Sequence, residues 1–168
     1  MKNTILRYGS YSALILTILF ILGLVVSEYF GFTASEVFGY ASMIISLLFV
    51  FIGIKHFRDK VNNGVVSFGK ALLIGILISL IAAITFGVID LIYIIFINPD
   101  FAAEYYAHAI EQYRATLSEI DFKEKLIELE AQKELFMNPF VSFLLMTVTV
   151  LILGFIISLI SALILQRK

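Results

Sequence analysis

The chain has 168 residues, 61% of them hydrophobic and only 15% charged, with a mean hydropathy of +1.01 and a net charge of −1. A soluble domain carries about 25% charged and about 45–50% apolar residues, so the composition is that of a membrane protein, and the near-neutral balance argues against a nucleic-acid partner. Cysteine is absent, which removes disulfides, thiol catalysis and zinc–thiolate sites.

The apolar residues gather in four runs, 8–27, 37–54, 71–97 and 139–165, and Asp90 is the one ionisable acid or base within them, tyrosines aside. Each run reaches the roughly 18–20 residues that cross about 30 Å of hydrocarbon as helix. Lipid offers the backbone no hydrogen bonds, so the runs must be helices. The expected fold class is all-α: a polytopic four-transmembrane-helix bundle with an extracytoplasmic helical hairpin between helices 3 and 4. The domain is single, over 1–168.

Lys2 and Arg7 resemble the start of a signal peptide, but the run that follows is long. Its exit, VVSEYFGF, has only a weak cleavage pattern. The reading is a retained first span at 8–27. The second, 37–54, carries Gly39, Ser42, Ser46 and Gly53 on one face, small residues of the kind that let helices approach in lipid.

Residues 55–67 form a basic loop with Lys55, His56, Arg58, Asp59 and Lys60, and Lys70 follows closely. Together with Lys2, Arg7, Arg167 and Lys168 this makes eight basic residues against one acid, Asp59. The 28–36 connection holds Glu28 and Glu36 and no base, and residues 98–138 hold nine acids against four bases. Positive charge stays cytoplasmic in short loops, so both termini and the basic loop are expected inside. One account of the cluster is anchoring to anionic headgroups, worth about 1 kcal/mol per basic residue. The sharper account is a specific ligand or partner site that includes His56. Lys55 and Asp59 have the i,i+4 spacing of an ion pair, Asn62-Asn63-Gly64 is the expected turn, and Ser67 is the expected cap of the next helix.

The third span, taken as 68–97, repeats small residues at every fourth position: Ala71, Gly75, Ser79, Ala83 and Gly87. At about 100° per residue Asp90 falls on this stripe, while Ala82 lies off it. A Leu at Ala82 is therefore expected to be milder than one at Gly75 or Ala83. An intramembrane carboxylate invites a proton-coupling role. At about 1.5 Å per residue beyond Lys70, however, Asp90 reaches the outer headgroups, which favours a structural role with tyrosine, serine or threonine partners.

Asn98-Pro99 and Asn138-Pro139 each mark a helix start, and Ser118 with Asp121 forms a capping pattern. Helices are expected over about 100–117 and 119–137, within an outer hairpin at 98–138. The first has an apolar stripe through Ala102, Tyr106, Ala109, Ile110, Tyr113 and Leu117. The second has Phe122, Leu126, Leu129 and Phe136, with Glu119–Lys123 and Asp121–Lys125 as i,i+4 pairs. Asp100, Glu104, His108 and Glu111 share one side of the first helix, but a single helix fills too few coordination positions for a metal. The fourth span, 139–165, offers Thr147, Gly154, Ser158 and Ser161.

Gly53-Ile54-Lys55-His56-Phe57-Arg58-Asp59, then Gly64, Ser67-Phe68-Gly69-Lys70-Ala71 and Gly75, resemble the signature of the bacterial membrane family known as domain of unknown function 4199, found mainly in Bacteroidota. The resemblance covers nearly the whole chain and implies four spans, a polar insert before the last one and a membrane location. It implies no catalytic residue.

No serine–histidine, HExxH, Walker or paired-acid motif stands out. The expectation is an uncharacterised integral membrane protein, not an enzyme, with no catalytic, metal or cofactor site, acting as an envelope interaction or structural protein. The alternative is a small ion- or proton-coupled transporter subunit using Asp90. Candidate functional or anchoring residues are Lys55, His56, Arg58, Asp59, Lys60, Lys70 and Asp90. Candidate packing residues are Gly75, Ser79, Ala83, Gly87, Gly154 and Ser158. Candidate partners are membrane lipids, a protein at the outer hairpin and a second copy of the chain.

Overall fold

A computed structural model describes residues 1–167, apart from the side chains of residues 131, 132 and 134–136. Phe136 and Lys168, both assigned above, therefore fall outside the described side chains and residues. The described residues are helical in five elements: α1 (Lys2–His56), α2 (Phe68–Ile92), α3 (Phe101–Thr116), α4 (Glu119–Phe136) and α5 (Pro139–Leu165). Three of them, α1, α2 and α5, are long and apolar enough to cross a membrane.

The connection expected at 28–36 shrinks to a single residue. Gly31 has φ 78° and ψ −179°, outside the helical region, while the residues on either side of it stay helical. A side chain would be strained there. The two arms of α1 then lie against each other in antiparallel register. Ser12 Oγ donates to the Ser46 carbonyl (2.8 Å), the Tyr11 and Phe49 rings sit 5.9 Å apart, and a Cβ on Gly23 would meet the Phe38 ring at 3.4 Å. α1 and α2 each end in a wider π-helical turn, Phe57–Val61 and Tyr93–Ile97. In both, an asparagine N–H closes the turn on an aromatic residue's carbonyl, Asn62 on Phe57 and Asn98 on Tyr93, each at 2.9 Å.

The chain forms two compact units, residues 1–86 with the stretch from Met146 onward, and residues 87–145. In the first, both arms of α1, most of α2 and most of α5 enclose an aliphatic core that includes Leu16, Leu47, Val50, Ile74, Ile78 and Val150. Hydroxyls are buried beside it: Ser12, Ser46, Ser79 and Ser158 are fully enclosed. Large aliphatic side chains face outward instead, among them Ile21, Val37, Ile160 and Leu163. Polar groups inside and oil outside is the arrangement a lipid solvent requires.

Two glycine–serine pairs bring α2 and α5 together. A Cβ on Gly75 would lie 2.6 Å from Ser158 Oγ, and one on Gly154 would collide with Ser79. Each serine fills the space above the other helix's glycine and donates its hydroxyl back to its own helix. Ser79 bonds the Gly75 carbonyl (3.0 Å) and Ser158 the Gly154 carbonyl (2.6 Å). The hydroxyls are thus satisfied without holding the helices apart.

The small-residue stripe on α2 is buried as expected at Ala71, Gly75, Ser79, Ala83 and Gly87. Ala82 departs from the expectation, because it is also fully buried. α2 packs on two sides: Gly53 and Gly9 of α1 admit Ile78 and Ile81, while Gly75 and Ser79 face α5. Gly39, placed on the packing face of the second run, has nothing within 4 Å of an added Cβ.

In the second unit, α3 begins at Phe101, later than Asn98-Pro99 suggested. The Asn98 side chain forms a local turn, accepting from the Asp100 N–H (3.2 Å) and donating to Glu104 (3.0 Å). Asn138 does cap α5, its Oδ1 accepting from the Phe140 N–H at 3.0 Å. Ser118 caps α4 by accepting from the Asp121 N–H (3.3 Å) and donating to the Asp121 carboxylate (2.6 Å). α3 and α4 pack together near their junction, where Arg114 lies over the Phe122 ring and Lys125 over the Tyr113 ring. Lys125 pairs with Glu128 (2.7 Å) instead of Asp121, whose carboxylate Ser118 already occupies. Glu119–Lys123 is not among the ion pairs of the described residues. Among the described side chains of the two stripes, Tyr106 and Leu129 are the buried ones, and burial raises the Tyr106 phenol above its ordinary pKa.

Gly75→Leu or Gly154→Leu forces the α2–α5 pair apart and is expected to cost at least about 1–3 kcal/mol. Ile84→Leu, on the exposed side of α2, is expected to be neutral. Thermal unfolding in detergent separates the two cases.

Candidate functional site

The basic stretch owes its shape to the π-helical turn that ends α1. The turn is followed by Asn63 (φ 52°) and Gly64 (φ 84°), which reverse the chain. Asn is the non-glycine residue that best tolerates this left-handed region, and Gly meets no steric penalty there. Gly64 N–H donates to the Arg58 carbonyl (2.7 Å) and Asn62 Nδ2 to the Val65 carbonyl (2.7 Å). The reversal delivers Val66, 1% exposed, to the end of the chain. There Val66 and Arg167 exchange both backbone hydrogen bonds, at 2.9 and 2.8 Å, in an isolated antiparallel bridge. The expected turn at 62–64 is thus present. Ser67 opens α2 through its carbonyl, which accepts from the Ala71 N–H at 2.9 Å.

Arg58 is the centre of this assembly. Its Nε and Nη2 donate to the two carboxylate oxygens of Asp59, at 2.6 and 3.1 Å, and its Nη1 donates to the Leu165 carbonyl at 3.3 Å. Leu165 is the last residue of α5, where carbonyls lack intrahelical partners and the helix dipole favours a cation. The guanidinium holds the Asp59 carboxyl below its ordinary pKa. The expected Lys55–Asp59 pair does not form; Asp59 is taken by Arg58. The i,i+4 rule assumes α-helical spacing, and the wider turn at Phe57–Val61 changes the angular relation it rests on.

The neighbouring side chains are packed more than they are displayed. Phe57 is 3% exposed, with the Lys70 ammonium 5.2 Å from its ring centre, and the His56 ring rests 5.4 Å from that of Tyr8. Lys55 and Lys60 are exposed. Two adjoining open grooves lie beside the bridge. One, of about 440 Å³, is lined by Val66, Ser67, Phe68, Gly69, Gln166 and Arg167; the other, of about 310 Å³, includes Asn62, Lys70 and Arg167.

Asp90 belongs to the second unit and is not part of this assembly. It is 5% exposed, and its Oδ2 accepts a hydrogen bond from Ser142 Oγ at 2.9 Å. A serine partner was within the expectation, and neighbouring side chains enclose the carboxylate. Asp100, Glu104, His108 and Glu111 do not converge: among the described residues no three His, Asp or Glu side chains come together for an ion. Two contributors were invisible in the sequence, the Leu165 carbonyl and the Val66–Arg167 bridge, because backbone groups carry no residue-type signal.

Arg58→Gln removes the bond between the loop and the Leu165 carbonyl, and Asp59→Asn removes the carboxylate that orients the guanidinium for it. Backbone amides of Val66 and Arg167 are expected to exchange hydrogen severalfold faster in either variant, while those of the α2–α5 core keep their protection. Hydrogen exchange read by mass spectrometry checks this.

The family model described as "Protein of unknown function (DUF4199)" matches residues 7–167. No curated protein and no solved structure matches the chain.

Proposed function

The chain belongs to the DUF4199 family, and on that premise we propose that it is a non-enzymatic integral membrane protein that crosses a bacterial inner membrane four times. In this reading both termini are cytoplasmic and 98–138 is an extracytoplasmic helical hairpin, a structural or interaction element of the envelope. The observation that carries the reading is the inverted surface, with serines enclosed and isoleucines, leucines and valines turned outward. Four crossings are supported by the antiparallel contacts between the two arms of α1, each longer than the roughly 20 residues a span needs. The orientation is supported by the charge asymmetry between the two ends. The interaction role is supported by α3 and α4, whose acidic faces are exposed while Tyr106 and Leu129 are enclosed. The serines that fill the α2–α5 contact suit a scaffold better than a substrate path. Candidate partners are lipids, a protein at the outer hairpin and a second copy of the chain.

A single cysteine at Gln112 is expected to react with a membrane-impermeant maleimide in intact cells, and one at Asn63 only after permeabilisation. The opposite pattern would reverse the orientation. Proximity labelling from Gln112 then identifies what the hairpin meets.

The enclosed Asp90 favours a second reading, a small proton- or ion-coupled transporter subunit, since intramembrane carboxylates mark such paths. In the structural reading Asp90→Asn keeps a hydrogen bond with Ser142 and folds normally. Purified protein in vesicles loaded with a pH-sensitive dye is then expected to show no proton flux that depends on Asp90. Flux present in the parent and lost in the folded Asp90→Asn protein would put the transporter reading first.

A further inference from the structure

We infer that the groove beside the Val66–Arg167 bridge binds the phosphate of an anionic phospholipid headgroup, an inference that rests on the membrane reading above. Lys70 and Arg167 both line the groove of about 310 Å³, with Asn62 and Ser67 as neutral hydrogen-bonding neighbours. Both cations are exposed, and neither belongs to an ion pair among the described residues.

The discrimination between headgroups comes from Asp59. It is the one acid of the basic end, and both of its carboxylate oxygens are occupied by the Arg58 guanidinium. Arg58 in turn donates from Nη1 to the Leu165 carbonyl. A zwitterionic headgroup would bring an ammonium to a groove whose described lining offers two cations and no carboxylate. A headgroup with a phosphate and no amine meets two cations and, among the described lining residues, no opposing charge. The groove also has an apolar wall, formed by Val65 and Val66, with Phe68 on the adjoining groove. The Phe57 ring holds Lys70 from one side, which limits the freedom that its ammonium must give up on binding. An open, shallow groove suits a headgroup whose acyl chains remain in the bilayer.

The test is native mass spectrometry of the full chain in detergent, titrated with phosphatidylglycerol or with phosphatidylcholine of the same acyl chains. Phosphatidylglycerol is expected to bind at least about tenfold more tightly. At about 1 kcal/mol per cation, Lys70→Gln and Arg167→Gln are each expected to weaken it about fivefold. Lys123→Gln, an equal charge change on α4, is expected to have no effect. Lys70→Arg keeps the charge over Phe57 and is expected to bind within about twofold of the parent. Circular dichroism checks folding. If Lys70→Gln does not fold, Arg167→Gln, with its exposed side chain, carries the test. Equal binding of the two lipids, or parental affinity in the folded Gln variants, would overturn the proposal. Displacement of phosphatidylglycerol by millimolar inorganic phosphate would also overturn it, assigning the groove to a free anion. Binding in detergent does not depend on which face is cytoplasmic, so failure here and failure of the maleimide test are separate results.

Discussion

Two helices approach closely enough that each serine of one stands over a glycine of the other, and the first unit is arranged around that contact. Gly75 and Ser79 on α2 meet Ser158 and Gly154 on α5, with the same glycine-x-x-x-serine spacing on both helices of the pair. In lipid there is no hydrophobic force to press helices together, so contact surface and satisfied polar groups must supply the attraction. The glycines remove the side-chain layer between backbones. The serines refill it and return their hydroxyls to the local carbonyls, so neither Ser79 nor Ser158 leaves its hydroxyl stranded.

The opposite face of α2 packs differently. There the glycines belong to α1, at positions 9 and 53, and α2 contributes Ile78 and Ile81 as the inserted groups. One helix therefore offers a flat face to α5 and a ridged face to α1. This explains why Ala82 is as buried as Ala83. It also explains why both arms of α1 are needed to cover α2, since Gly9 lies before the break at Gly31 and Gly53 after it.

At the basic end the charges divide into two groups with different tasks. Arg58 and Asp59 are consumed internally: Asp59 holds the Arg58 guanidinium, which ties the loop to the last carbonyl of α5. Lys55, Lys60, Lys70 and Arg167 remain at the surface. The ordered arrangement of lysine, histidine, aromatic, arginine and aspartate thus has a structural cause, because the buried Phe57 and the fork of Arg58 need fixed positions. The surface lysines need only to be present.

Much of the architecture was legible in the sequence, and for a physical reason: a lipid-facing helix must be apolar over its whole length, so its extent is written in composition. The starts of α4 and α5 were readable from Ser118 and from Asn138-Pro139, because caps act within a few residues. The small-residue stripe on α2 was readable from its period. What only the tertiary structure decided depends on which element meets which. The partner of Asp59 changed from Lys55 to Arg58 because a π-helical turn altered the local spacing. Ala82 proved buried because α2 has two packed faces. The partner of Asp90 is Ser142, a residue far along the chain. The clasp at Leu165, Val66 and Arg167 is made largely of backbone groups, which every residue carries alike, so only their meeting in space distinguishes them.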